Sequence, residues 1–152
     1  MADVVNSPFY ASVERLAARR GEVMKTWGPV TMDAVSVARF EEALGWPTHV
    51  ALPPAILMQL GNETIDIHRD ERPRETIDET LGNPVNGGAT IKWLRSLCPG
   101  EAISGRVSLK NAYVRDGKSG PLAIVLIETT FLDGSDRPVA VSEKTTIYRG
   151  RI

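Results

Sequence analysis

Two short segments in the first third of the chain carry apolar residues at helical spacing. The apolar positions of the first segment are Phe9, Val13, Leu16 and Ala17, and those of the second are Val37, Phe40, Ala43 and Leu44. An apolar stripe of this spacing is typical of an amphipathic helix that packs on a core. We therefore predict one helix between Ser7-Pro8 and Gly21. A second helix is predicted to start at Asp33 or Ser36 and to end at Gly45.

A more uniformly apolar segment follows these two helices. Pro53-Pro54 precedes Ala55–Leu60, in which five of the six residues are apolar. A helix that is apolar on most sides is covered on most sides, so we predict a central buried helix over residues 54–60. The chain then becomes rich in Asp, Glu and Arg, and we assign residues 62–85 to a charged loop or overhang.

The second half of the chain alternates between apolar and polar residues, which is typical of half-buried strands. One strand is predicted from Ala89 to Leu97, and Pro99-Gly100 is predicted to turn the chain into the next strand. The apolar run Leu122–Ile127 predicts a central strand that is covered on both faces. With a last strand after the turn at Asp133–Asp136, these segments form a predicted four-stranded antiparallel meander. An earlier short extended piece is predicted at Val30–Met32, after a break at Gly28-Pro29.

The fold class that these elements predict is α+β, with helices early in the chain and an antiparallel sheet late. A length of 152 residues fits a single domain over residues 1–152, in which residues 1–28 form an N-terminal helical extension. The balance of 18 Lys and Arg against 19 Asp and Glu argues against a nucleic-acid binder, because such proteins carry a basic face.

Cysteine usage indicates a reducing compartment. Cys98 is the one cysteine of the chain, so an internal disulfide cannot form, and no Cys/His cluster has the spacing of a zinc site. We expect no metal and no cofactor. The sequence also carries no apolar stretch of membrane-spanning length and no signal-peptide core, so we expect a cytoplasmic protein.

Several short motifs, in this order and spacing, resemble a known family. They are Phe40–Gly45, Leu52-Pro53-Pro54, Asn86-Gly87-Gly88, Cys98–Glu101, Gly117–Leu122 and Asp133-Gly134. Over roughly residues 29 to 149, a span of ordinary domain size, the chain resembles the MaoC-like hydratase/dehydratase family of hot-dog proteins. More narrowly, it is similar to the N-terminal, FAS1-like dehydratase half of that family.

The resemblance implies a single hot-dog domain, in which an antiparallel sheet wraps around the central helix at residues 54–60. It also implies a homodimer, or pairing with a second hot-dog chain, since ligands of this family lie in a tunnel between two such units. The ligand would be an acyl thioester of coenzyme A or acyl-carrier protein, as in fatty acid metabolism. The reaction would be the reversible hydration of a trans-2-enoyl thioester to an (R)-3-hydroxyacyl thioester.

The sequence departs from the family at the catalytic motif. Catalytic members carry Asp-x-Asn-Pro-x-His before the central helix and His-Gly at its start. Residues 44–50 contain neither the Asp nor the Asn, and Pro53-Pro54 stands in place of His-Gly. Because proline has no N–H, Pro54 cannot donate to the thioester oxygen. These losses favour an acyl-binding half that lacks the catalytic Asp and His and works with a second hot-dog unit.

Seven residues are candidates for substrate binding. They are Pro54, Ala55, Ile56, Asn86, Gly87, Gly88 and Trp93. The first three begin the central helix that the resemblance implies. Glycines let the backbone approach a ligand closely, and an Asn side chain can donate to a thioester or pantetheine carbonyl. A loop with a bulge explains Asn86-Gly87-Gly88 equally well, and core packing is the alternative role of Trp93.

A second hypothesis makes the chain self-sufficient. His49 lies near the position of the family's catalytic motif and would serve as the catalytic residue of a homodimeric acyl-CoA hydratase or thioesterase. Hot-dog thioesterases need a carboxylate near the central helix, and the candidates are Glu41 and Glu42 on the preceding helix. The alternative is that His49 is an exposed histidine in a turn and has no function.

Overall fold

The computed structural model describes residues 7–45 and 81–150, without the side chains of residues 82 and 83. The elements are α1 (Pro8–Ala18), β1 (Val23–Thr31), α2 (Ala34–Leu44), β2 (Leu81–Trp93), β3 (Ala102–Gly117), β4 (Gly120–Leu132) and β5 (Pro138–Gly150). The predicted central helix at residues 54–60 lies outside the described residues, as do His49, Pro54, Ala55 and Ile56.

The two early helices confirm the sequence prediction, with one choice resolved. Ser7 and Pro8 begin α1, whose Phe9, Val13 and Leu16 are buried. At the start of α2 the N-cap is Asp33, whose Oδ1 accepts hydrogen bonds from the backbone N–H groups of Val35 at 3.0 Å and Ser36 at 2.9 Å.

The far end of α2 differs in part from the prediction. Gly45 ends the helix in the left-handed conformation, at a φ of 62°. The buried face ends at Val37 and Glu41, whereas Leu44, which the spacing places on the same face, is 52% exposed.

The five strands form one antiparallel sheet in the order β1-β3-β4-β5-β2. Lys118 and Ser119 form the turn between β3 and β4, as the sequence predicts. The predicted central strand is confirmed, because β4 lies in the middle of the sheet. Its neighbours Ala123 and Ile124 point to opposite faces and are both buried.

The predicted four-stranded meander is wrong at one pairing. Strand β2 pairs with β5, where Trp93 lies opposite Ala140, and not with β3. Residues 94–101 therefore cross two strands before β3 begins. Pro99-Gly100 lies within this crossing connection and not in a hairpin. The alternating pattern predicts which face a residue occupies, but it contains no information on which strand is the neighbour.

Two strands are longer at their N-terminal ends than the pattern predicts, because bulges interrupt the alternation. β1 begins at Val23 and β2 at Leu81, so residues 23–28 and 81–85 belong to the sheet and not to the extension and loop assigned from the sequence. The register shifts between Trp27 and Val30 in β1 and between Asn86 and Gly88 in β2. β1 is an edge strand, where a proline such as Pro29 is tolerated.

Two buried clusters lie on one face of the sheet, which we call the inner face. The first cluster includes Val37 of α2 with Trp27, Ile103 and Phe131 of the sheet. The second cluster joins α1 to the sheet; its members are Phe9, Val13, Leu16, Leu81, Leu109, Ala112, Ala123, Val125 and Tyr148. Ile127 packs against both clusters, so the two helices cover neighbouring parts of the same face.

Candidate functional site

Strand β2 forms one edge of the described sheet and carries four of the candidate substrate-binding residues. β5 is its one neighbour in the strand order, and residues 84–90 are exposed. The exposed run includes Val85, which is 49% exposed. Long exposed edge strands offer unpaired backbone groups and are normally covered by another element or chain.

Asn86 lies at the bulge of this edge strand. It is opposite Thr146, and Gly88 is opposite Thr145, so Gly87 is the extra residue of the bulge. The Asn86 Oδ1 accepts a hydrogen bond from the Gly88 backbone N–H at 3.0 Å. Because this oxygen is taken by the backbone, the group that Asn86 offers to a ligand is the Nδ2 donor.

The structure favours glycine at positions 87 and 88 of the bulge for two different reasons. A Cβ at Gly87 would lie 2.7 Å from Cγ2 of Thr145, so β2 and β5 approach closely there. Gly88 has a φ of 112°, a conformation that side-chain-bearing residues rarely adopt. Both reasons fit the bulge expected at this position, and a role in ligand binding stays a prediction.

Trp93 is one end of a row of residues that crosses the whole inner face. Successive strand pairings align Trp27, Gly105, Phe131, Ala140 and Trp93. We call these five residues the aromatic row. Large and small side chains alternate along it, and the Trp27 indole occupies the space that a Cβ at Gly105 would need. The Trp27 and Phe131 rings meet edge to face, with centroids 5.9 Å apart.

The indole N–H groups of the two tryptophans in the aromatic row are buried. Trp27 is 8% exposed, and Trp93 is half-buried and packs against the first cluster. Within residues 7–45 and 81–150, neither indole Nε1–H has a hydrogen-bond acceptor. The sequence predicts a packing or binding role for Trp93 but gives no such indication for Trp27. Its alignment with Trp93 depends on register, which no local pattern reveals.

A charged network lies beyond the end of β2. The Arg95 guanidinium contacts a Glu101 carboxylate oxygen at 3.0 Å and Asp133 Oδ2 at 3.0 Å. Asp133 is 5% exposed and also accepts hydrogen bonds from the backbone N–H groups of Ser135 at 2.8 Å and Arg137 at 3.0 Å. The network thus ties residues 94–101 to the β4–β5 turn.

These contacts make both carboxylates weak bases. The Arg137 backbone N–H, followed by other donors that include Arg95, holds the pKa of Asp133 far below its usual value of 3.8. The Arg95 guanidinium, together with the Cys98 backbone N–H at 2.7 Å, lowers the pKa of Glu101. Their contacts support a structural role and not proton transfer near neutral pH.

Glu41 and Glu42 on α2 occupy different environments. Glu41 is 8% exposed and lies one turn after Val37 on the buried face of the helix. Glu42 is exposed. Of the two carboxylates suggested for a thioesterase, Glu41 is therefore the one directed toward the first cluster.

The described residues contain neither a cluster of metal ligands nor a membrane-spanning helix. No group of three or more His, Cys, Asp or Glu side chains in this part of the chain is arranged to hold a metal ion. Among the helices described, none has the length and apolar character needed to cross a membrane.

A family model described as "FAS1-like, dehydratase domain region" matches residues 28–142. The match covers most of the chain, and the chain belongs to this family. The structure has the hot-dog fold and the α+β class, as the sequence resemblance implies. No curated protein matches the sequence.

Three solved structures from the comparison resemble this fold. The ChsH1-ChsH2 complex from Mycobacterium tuberculosis matches with 16% identity and a TM-score of 0.63, over 93% of this chain and 91% of that chain. C-terminally truncated HadBC, a 3R-hydroxyacyl-ACP dehydratase complex from the same organism, has 14% identity and a TM-score of 0.59, over 85% and 96%. BH1999 gentisyl-coenzyme A thioesterase has 12% identity and a TM-score of 0.55, over 84% and 93%. Identities this low establish the fold alone.

Proposed function

We propose that this chain is the acyl-binding half of a hydratase/dehydratase and works with a second hot-dog chain that supplies the catalytic Asp and His. The ligand is an acyl thioester of coenzyme A or acyl-carrier protein. The reaction of the assembly is the reversible hydration of a trans-2-enoyl thioester to an (R)-3-hydroxyacyl thioester. The observation that carries the proposal is the exposed edge of β2, with Asn86 at its bulge.

The exposed edge supports assembly with another sheet. β2 has 13 residues, Leu81–Trp93, and β5 is its one neighbour in the described sheet. A second hot-dog sheet that pairs with β2 would cover both its backbone groups and the exposed Val85. Two of the similar structures, ChsH1-ChsH2 and HadBC, are complexes, which agrees with such pairing.

The chemistry of the chain supports division of labour between two units. Hydration of an enoyl thioester needs a base for water, a proton for Cα and N–H donors for the thioester oxygen. Residues 44–50 lack the acid of the family motif. Pro54 stands where catalytic members have a glycine, and as a proline it lacks the N–H that this glycine would donate. Asp133 and Glu101 are engaged in structural contacts, so neither replaces the missing base.

Asn86 provides the test of acyl-thioester binding. In this proposal its Nδ2 group donates to a thioester or pantetheine carbonyl at the β2 edge. Isothermal titration with a saturated acyl-CoA, which cannot be hydrated, measures binding without turnover. We expect Asn86→Ala to weaken binding by about 5-fold, the loss of one hydrogen bond. Thr90→Ala is the control, because Thr90 is an exposed residue of the same strand. Equal affinities in all three proteins would remove Asn86 from the site.

A second candidate function is supported by the burial of Glu41. In a self-sufficient thioesterase, a carboxylate would take a proton from water as the water oxygen adds to the thioester carbonyl. The C–S bond then breaks, and the carboxylate returns the proton to the departing thiolate. His49 would then be the second catalytic residue. Measured hydrolysis of acyl-CoA should be lost in Glu41→Gln and kept in Glu42→Gln. Absence of hydrolysis by the wild-type protein would exclude this candidate.

A further inference from the structure

Two hydrogen-bond donors, one in the first cluster and one packed against it, are left unsatisfied by the described residues. They are the indole N–H groups of Trp27 and Trp93, at the two ends of the aromatic row. Buried donors are nearly always paired, since an unpaired one loses its hydrogen bond to water without replacement. Such a group in a binding protein is a natural contact for an oxygen of the ligand.

Trp93 and Asn86 lie on the same strand and the same face. Their partners on β5 are Ala140 and Thr146, which are six residues apart, so both side chains point to the inner face. Six residues of strand span about 20 Å. A ligand whose thioester oxygen is held by Asn86 would therefore bring the far end of a long acyl group to Trp93.

Trp27 is less suited to this role. It lies on β1, at the opposite edge of the sheet and four strand spacings, or about 19 Å, from β2. Its ring is fixed between Gly105 and Phe131, and it is more deeply buried than Trp93. Trp93 combines a buried N–H with a side chain that is still partly accessible.

We propose that the acyl group bound by this chain carries a carbonyl or hydroxyl oxygen near its far end, and that the Trp93 Nε1–H donates to it. This inference rests on the proposed binding of acyl thioesters at the β2 edge. It deepens that proposal by naming the class of acyl group: a plain hydrocarbon chain would leave the Trp93 donor unpaired, whereas an oxygenated one satisfies it.

The test compares matched ligands and matched variants. The ligands are dodecanoyl- and hexadecanoyl-CoA, each with and without a ketone next to the terminal methyl group, and binding is measured by isothermal titration. Trp93→Phe removes the N–H but keeps an aromatic ring. Trp27→Phe removes an equivalent unpaired N–H at the other edge and is the control. A ¹H–¹⁵N spectrum reports whether the indole N–H of Trp93, identified by its loss in Trp93→Phe, shifts on binding.

We expect at least one keto ligand to bind the wild-type protein about 5-fold more tightly than its hydrocarbon match. Trp93→Phe should abolish this preference without weakening the hydrocarbon ligand, and Trp27→Phe should retain it. Equal binding of both ligands at both lengths, or a preference that survives in Trp93→Phe, would overturn the inference and leave the proposed function standing. If none of the four ligands binds, the proposed function is overturned, and the inference with it.

Discussion

The indole of Trp27 lies over Gly105, in the space that a side chain at position 105 would occupy. Gly105 is in turn aligned with Phe131, so the missing side chain lets the two aromatic rings meet across β3. Because Gly105 has no Cβ, the side chain of Trp27 on the edge strand β1 can reach Phe131 on the central strand β4.

Gly105→Ala should destabilise the protein by about 2 kcal/mol, since the new methyl group overlaps the Trp27 ring and the core must shift to accept it. Urea unfolding measures the change. Gly134→Ala is the matched control, because a Cβ there meets no atom within 4 Å. Its effect should stay within about 0.5 kcal/mol. Equal stabilities of the two variants would show that the ring does not pack on position 105.

The assembly interface is tested by two valines with almost the same exposure. Val85 on β2 is 49% exposed, and Val23 on β1, the opposite edge of the sheet, is 48% exposed. Val85→Asp should weaken self-association or partner binding at least about 10-fold, because it places a charge in an interface that excludes water. Sedimentation equilibrium measures the dissociation constant.

The same change at the other edge is the control for that experiment. Val23→Asp should leave the dissociation constant unchanged, since we place no partner at β1. A larger loss of association in Val23→Asp than in Val85→Asp would show that the interface lies at β1 and not at β2.

The Asp133 network predicts a loss of stability in acid. The pKa of Asp133 is lowered in the folded protein, so its contribution to the free energy of unfolding is present above its usual value of 3.8 and is lost as the pH falls below it. Asp133→Asn removes this dependence. Between pH 5 and pH 3, the unfolding free energy of the variant should therefore fall less steeply than that of the wild type.

Asp116→Asn supplies the comparison for that titration. Asp116 is an exposed residue near the β3–β4 turn, outside the network. Its variant should follow the wild-type pH profile, as measured by urea unfolding at each pH. A wild-type profile in Asp133→Asn would mean that the network does not set the acid sensitivity.

Lys110 forms ion pairs with two carboxylates that lie on neighbouring strands of the sheet. Glu128 and Glu143 are directly opposite on β4 and β5, and the Lys110 ammonium lies 3.2 Å from one and 2.6 Å from the other. Like charges in this position repel when nothing bridges them. Lys110→Met should lower the thermal midpoint, and added salt should reduce the difference from wild type by screening that repulsion.

Lys92→Met is the control for Lys110. Lys92 is an exposed lysine of the edge strand β2, and the structure gives it no ion pair among the described residues. Its loss should leave the thermal midpoint close to wild type at every salt concentration. A Lys110→Met protein as stable as Lys92→Met at low salt would show that the bridge contributes nothing.

The features that the sequence predicts correctly are those that follow local rules. The caps at Ser7 and Gly45 and the apolar run of β4 depend on residues within a few positions of one another. These features set helix bounds and a central strand without reference to the rest of the chain. The hot-dog fold itself came from the order of several short motifs and not from any one pattern.

Features that depend on register were missed. The bulge beside Gly28-Pro29 interrupts the alternation of β1, so the pattern shows only its last residues. The pairing of β2 with β5 is a long-range choice that alternation does not encode. The aromatic row follows from these pairings, which is why Trp27 could not be recognised as a counterpart of Trp93.

In the function proposed here, catalysis needs a second hot-dog chain. We would measure the hydration rate of a short and a long trans-2-enoyl-CoA with the purified chain alone and with a second hot-dog protein that carries the catalytic Asp and His. We expect no hydration by the chain alone and robust hydration by the mixture. Robust hydration by the chain alone, abolished in His49→Ala, would instead establish a self-sufficient enzyme.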